Sequence, residues 1–220
     1  MCSINRLKTI KDINVNFDKH NGIPKESFKI LMIDDHPKNV RHLVEQCKKN
    51  EYNIVLQDDF INVEQCRDYN LILIDVRGVG GDFSKEGGFG VAKAIADQLP
   101  NTEIVLFTAY ESDVIGDGSP FKVINKPIKA DKLCLELDNI RKDLADPIKG
   151  WEKIKEKCLE ENIPFKHIAI IEDKYVRSYN KGTPKITEGG WNGFSASKVE
   201  EMIISFAAQV VANVLMARMM

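Results

Sequence analysis

Asp34 and Asp35 stand side by side in "FKILMIDDHPKNV", at the end of a run of apolar residues. Adjacent like charges repel, and a carboxylate at the edge of a buried strand is costly. Three other apolar runs also end in polar groups: "NLILID" in Asp75, "EIVLFTA" in Thr108 and Ala109, and "FKVINKP" in Lys126 and Pro127. Brought together, three carboxylates require a cation, and hard oxygen ligands select Mg²⁺. A lysine adds a fixed positive charge and a threonine adds a hydroxyl donor. Such a set suits the stabilisation of phosphoryl oxygens around one aspartate.

The elements that must position these groups follow from the hydrophobic pattern. "KILMID", "YNIVLQ", "NLILID", "EIVLFTA" and "FKVINKP" read as five short strands, the first suited to a parallel strand covered on both faces. Helical spacing is clear in "PKNVRHLVEQCKKN", through Val40, Leu43, Val44 and Cys47, and in "GFGVAKAIADQLP" and "DKLCLELDNIRKDLA". Strands alternating with helices predict a doubly wound, five-stranded parallel α/β sheet over residues 28–145. In such sheets, sites form beyond the carboxyl ends of the strands, where all four polar endings lie.

Residues 1–27 read as a polar, lysine-rich N-terminal extension, and residues 146–220 as a separate C-terminal interaction or effector module of α+β type. Asp146-Pro147 marks its start as helix N-cap and first helical residue. Trp151, Ile154, Cys158 and Leu159 share one face of that helix, "HIAIIEDKYVRSY" reads as a strand, and "NKGTPKITEGGWNGFSAS" as a long loop. The chain ends in an apolar helix from about Ser197 to Met219, with Ser205, Gln209 and Asn213 as a narrow polar stripe. That helix suits a core or a homodimer interface better than a membrane anchor, because its polar residues and Arg218 oppose a span.

Composition excludes several classes. The hydrophobic fraction of 43% supports a full core, and a net charge of −2 gives no global basic field for nucleic acid. No helix rich in Arg, Asn or Gln reads as a DNA-recognition helix. The five cysteines lack metal-ligand spacing, and the N-terminus is too polar for a signal peptide. These features predict free thiols and a reducing cytoplasm.

The four motifs "MIDDHP", "LILIDV", "LFTAY" and "INKP", in this order at strand ends, resemble the receiver domain of bacterial response regulators, the chemotaxis-type phosphoacceptor module. The resemblance covers about residues 28–145. It implies that Asp75 is the phosphoacceptor, that Asp35 ligates Mg²⁺ directly, and that Asp34 acts through water or orients it. It implies further that Arg77 offers its backbone carbonyl to the metal, that Thr108 hydrogen-bonds the phosphoryl group, and that Lys126 pairs with a phosphoryl oxygen next to a cis Pro127. The implied partner is a histidine kinase or phosphotransfer protein. Other readings of single motifs are a helix N-cap for Asp34-Asp35, a loop residue for His36, and a mobile surface loop for "GVGGDFSKEGGFG", which lacks the ending of a P-loop.

Three features depart from the family. Val123 stands where an aromatic is usual, with Phe121 two residues earlier. "YESDVIGDGSP" is too short and Gly-rich for a full helix. The loop after Asp75 is lengthened by "RGVGGDFSKEGG". A degenerate receiver serving as a constitutive binding scaffold is therefore a second reading. A third is a metal-dependent, nuclease-like effector built on Glu172-x-Lys174, on one face of the expected strand. No classical enzyme site is otherwise present in the sequence.

Overall fold

The three central apolar runs, at 29–33, 71–74 and 103–108, become strands covered on both faces, whereas the edge runs at 53–57 and 122–125 keep exposed positions. The computed structural model describes residues 6–14, 22–109, 119–183 and 198–216. The strands are β1 (Lys29–Ile33), β2 (Asn53–Gln57), β3 (Leu71–Ile74), β4 (Glu103–Thr108) and β5 (Lys122–Asn125). All neighbours pair in parallel, in the order β2-β1-β3-β4-β5. Helix α1 (Pro37–Lys49) runs between β1 and β2, α2 (Gly88–Gln98) between β3 and β4, and α3 (Ala130–Ala145) follows β5.

The chain forms two compact units, Lys25–Asp138 and Met1–Pro24 with Asn139–Met220. In the first, Leu31, Ile33, Ile72, Ile74, Ile104 and Leu106 pack with Val91, Ala92 and Ile95 of α2. Their strand neighbours Ile30, Met32, Leu73, Val105 and Phe107 are also buried and, by the two-residue period, point to the opposite face. Burial of each such side chain contributes about 1.5–3 kcal/mol, which is why these strands need no polar face.

The second unit, described by itself, is helical among its described residues: α4 (Pro147–Glu160), α5 (Phe165–Lys181), α6 (Lys198–Met216) and a 3-10 turn at Ile10–Asp12. Asp146 caps α4 as expected, accepting hydrogen bonds from the backbone N–H of Ile148 and Lys149. Leu159, expected on the buried face of α4, is exposed, whereas Trp151, Ile154 and Cys158 are buried. The strand expected at "HIAIIEDKYVRSY" is instead helix α5, so the α+β reading of this module is corrected: its described residues are helical. The physical reason is the period. Ile168, Ile171, Tyr175, Val176 and Tyr179 are buried together, at the three- and four-residue spacing of one helical face. The dense "IAII" stretch hides that period until the two tyrosines extend it. Gly182, at φ +67°, ends α5 in the left-handed region, its N–H bonded to Ser178 and Tyr179 carbonyls.

On α6, Ile203, Ile204, Phe206, Ala207, Val210, Val211, Val214 and Leu215 lie in the same core as α4 and α5. The apolar arc that suggested a homodimer is thus buried within this unit. Ser205 of the expected polar stripe is exposed. The side chains of Gln209 and Asn213, and Arg218 itself, lie outside the described residues, as do most of "YESDVIGDGSP" and "NKGTPKITEGGWNGFSAS". Among the described residues, no helix is long and apolar enough to cross a membrane.

Burial in this unit makes a pH prediction. Tyr175 is fully buried, donates its hydroxyl to the Pro147 carbonyl at 2.7 Å, and its phenol is pushed above its ordinary 10.0 by that burial. Burial likewise pushes the Cys158 thiol from 9.0 up to about 11. Unfolded, both groups lose protons near their ordinary values, while folded they keep them. The stability they permit is therefore complete below about pH 9 and lost as pH rises beyond it. Melting temperature should fall between about pH 9 and pH 11, and Tyr175→Phe should blunt the fall. A flat profile over that range would contradict the burial of these groups.

Candidate metal and phosphoryl site

The sheet ladder itself aims the site residues. Asp34 N–H bonds the Gln57 carbonyl at 3.0 Å, Asp75 N–H the Ile33 carbonyl at 2.9 Å, and Lys126 N–H the Thr108 carbonyl at 2.8 Å. Each residue thus continues the parallel pairing one step past its strand. With Ile33 in register with Ile74, Asp34 and Asp75 leave adjacent strands at the same level of the sheet.

One carboxylate oxygen from each of Asp34, Asp35 and Asp75 lies within 4.8 Å of the others. Asp34 is only 1% exposed, so its charge needs partners. It has them: one oxygen accepts the His36 backbone N–H at 2.9 Å, and the other meets Lys126 Nζ at 2.6 Å. Lys126 Nζ also lies 2.6 Å from Asp75 Oδ2 and 4.9 Å over the centre of the buried Phe107 ring. The Lys126–Pro127 bond is cis, as expected from the resemblance. Thr108, in register with Asn125, is fully buried at the same end. Asp75 has its carboxyl raised above the usual range, first by burial, with Lys126 opposing and Asp34 reinforcing the shift. The Arg77 backbone N–H is 3.5 Å from Asp75 Oδ1. A cavity of about 500 Å³ opens over these groups, lined also by His36, Asn39 and Ala109.

The residues present fit Mg²⁺. Three carboxylates and one ammonium leave a local charge of −2, which a dication balances, and the donors are hard oxygens. The acidic pair does not act as a helix cap: the N-cap of α1 is His36, without a side-chain cap bond. The His36 ring has a largely exposed side chain and lies 3.7 Å from Asp35 Oδ2.

The loop after Asp75 supplies what sequence reasoning missed. Gly78, at φ +78°, lies so close to Asp35 that a Cβ there would overlap its carboxylate. A Cβ on Gly88, the first residue of α2, would overlap the Asp75 backbone carbonyl. Read as a mobile surface loop, the segment is in fact anchored. Val79 is fully buried, and Asp59 Oδ1 accepts the N–H groups of Gly80 and Phe60, each at 2.7 Å. The glycines of "RGVGG" were the available signal. Phe121 packs edge-on against Phe89, with ring centres 6.0 Å apart, and Val123 is half-buried.

Glu172 and Lys174 are not brought together as a nuclease-like pair. On a helix, residues two apart point about 200° apart. Glu172 instead accepts the Ile10 N–H at 2.8 Å, and Asp173 accepts the Lys8 N–H at 2.7 Å while pairing with Arg177. These acids fasten the N-terminal segment onto α5, and the third reading falls with the strand it required.

No family model matches this chain, and no curated protein matches it. Among solved structures it is similar to a response regulator receiver domain protein from Clostridium thermocellum, at 18% identity and a TM-score of 0.42, covering 51% of this chain and 92% of that one. It is also similar to the Vibrio cholerae chemotaxis protein CheY4, at 18% identity and a TM-score of 0.39, over 51% of this chain and 97% of that one. The response regulator protein TrrA of Thermotoga maritima, in complex with Mg²⁺ and BeF, gives 24% identity and a TM-score of 0.39, over 51% and 97%. These are likenesses of fold. The strand order 2-1-3-4-5, with parallel pairing throughout, is that of the flavodoxin-like sheet. Residues Lys25–Asp138 have this flavodoxin-like fold. The acidic cluster of this unit lies where β1 and β3 leave the sheet, at its topological switch point.

Proposed function

We propose that the receiver unit accepts a phosphoryl group on Asp75 with Mg²⁺ bound, and so acts in two-component-type signalling. The observation that carries this reading is the convergence of the Asp34, Asp35 and Asp75 carboxylates, with Lys126 Nζ 2.6 Å from two of them. Asp75 is the nucleophile: one oxygen attacks phosphorus, and the bond to the donor's leaving group breaks. Lys126, now shared between Asp34 and Asp75, turns its charge to a phosphoryl oxygen. Thr108 donates its hydroxyl to another. Asp34, Asp35, Asp75 and the Arg77 carbonyl would hold Mg²⁺, which when bound neutralises charge on the phosphoryl oxygens.

The donor that the receiver resemblance implies is a phosphorylated histidine kinase or phosphotransfer protein, and the free thiols suit a reducing cytoplasm. The output is a changed contact with a partner protein. The test is intact mass after incubation with Mg²⁺ and an acyl phosphate. One base-labile phosphoryl adduct is expected, lost when the Mg²⁺ is chelated and reduced in Asp35→Ala. If the protein gains no adduct and binds no beryllofluoride, the phosphoacceptor reading fails and the scaffold reading takes its place.

A further inference from the structure

Two thiols outside this site touch. Cys47, in the last turn of α1, and Cys134, in the first turns of α3, have their sulfurs 3.7 Å apart. Both belong to the receiver unit. Cys47 is fully buried, while Cys134 is partly exposed. Their backbones are held in place by one residue. Tyr52 donates its N–H to the Cys47 carbonyl at 3.1 Å, and its hydroxyl donates to Asp138 at 2.7 Å and lies 3.2 Å from the Cys134 carbonyl oxygen. The pair is thus bracketed, not a chance approach of two loose side chains. We propose that Cys47 and Cys134 form a reversible intramolecular disulfide, a redox-sensitive staple between α1 and α3.

Closing the bond needs the sulfurs to move from 3.7 Å to about 2.05 Å, within reach of side-chain rotation. The oxidant is a peroxide. The more accessible Cys134 sulfur attacks one peroxide oxygen, the O–O bond breaks, and a sulfenic acid forms with loss of water. Cys47 sulfur then attacks Cys134 sulfur, expelling a second water. Two thiols and hydrogen peroxide give one disulfide and two waters, a two-electron oxidation. Burial, with Cys134 beside it, holds the Cys47 thiol up to about 12, so it stays protonated until the sulfenic acid is made beside it. In a reducing compartment such a bond is transient, which suits a sensor rather than a permanent brace.

The consequence is specific to the fold. Helix α1 begins directly after Asp34-Asp35, and α3 begins shortly after Lys126-Pro127. A staple between them ties together the helices that follow the two sides of the acidic site, and it restricts the unfolded chain across a long loop.

The full-length chain, reduced and freed of reductant, is treated with hydrogen peroxide, quenched and alkylated under denaturing conditions. The expected result is loss of two of its five titratable thiols. Peptide mapping should link Cys47 to Cys134, dithiothreitol should reverse the change, and the oxidised form should melt at a higher temperature. Cys134→Ser should abolish the paired loss, and Cys66→Ser should retain it. Cys47→Ala serves as a second variant at the buried partner. Retention of all thiols by the wild type, a linkage joining any other pair, or an undiminished loss in Cys134→Ser would overturn the proposal.

Discussion

Asp75→Asn is expected to abolish the phosphoryl adduct and at the same time to raise the melting temperature in the absence of Mg²⁺. An amide presents no anionic oxygen to attack phosphorus, so the covalent step stops. The stability gain follows from the environment of the carboxylate. Asp75 is held above the usual carboxylate range, with burial as the largest cause and the Asp34 charge adding to it. A raised folded value means that the ionised group is disfavoured by folding. When ionised it costs stability, and the penalty fades as pH falls through the folded value. Replacing it with a neutral isostere removes the penalty, while Lys126 keeps its 2.6 Å bond to Asp34. Lys126→Ala should act differently. It leaves Asp34 buried without its cation and should slow phosphoryl transfer by roughly 10²-fold, the scale for one lost charge-stabilising donor. Intact mass and thermal denaturation of the two variants check both signs. An Asp75→Asn protein with the same base-labile adduct would remove Asp75 from its role.

Gly88→Ala is expected to damage fold and site together, whereas Gly78→Ala should damage chiefly the metal site, with a smaller loss of stability. The difference lies in what each new methyl meets. At Gly88 it meets the carbonyl group of Asp75 and the Cα of Val76, backbone pinned by the bond from Gly88 N–H to the Val76 carbonyl at 3.0 Å. Backbone in a sheet ladder cannot step aside, so α2 must shift; overpacking of this kind costs about 1–3 kcal/mol or more. At Gly78 the methyl meets only the carboxylate end of Asp35, which can rotate away. The φ of +78° adds a strain of about 1 kcal/mol. Urea denaturation should separate the two variants clearly, with Gly88→Ala far less stable. Mg²⁺ titration should show weakened binding in both. Equal stability of the two proteins would mean that α2 is free to slide, against the packing described above.

Several features were determined by sequence alone. Runs such as "ILMI" and "LILI" are apolar at every position, and only a strand covered on both faces needs that, so the parallel sheet and its alternation with helices were legible. So was the convergence of Asp34, Asp35, Asp75, Thr108 and Lys126, because each ends such a run and the ladder carries it to one edge. The cap at Asp146 was legible for a local reason: its side chain bonds N–H groups two and three residues on.

Tertiary structure decided the rest. "HIAIIED" satisfies a strand or a helix over its own length, and only burial of Tyr175 and Tyr179 against α4 and α6 selects the helix. The terminal helix is apolar enough for a core, a dimer or a lipid, and packing placed its described apolar residues in the core. Gly78 and Gly88 look like loop punctuation in the sequence. Their purpose lies in close approaches to Asp35 and to the Asp75 backbone, from chain segments distant in sequence for the first and separated by a whole loop for the second. Cys47 and Cys134 are 87 positions apart and carry no spacing signal, yet two helices and one tyrosine bring their sulfurs into contact. Local pattern fixes what a segment buries; contact between distant segments depends on how the chain closes, and no window of sequence contains that information.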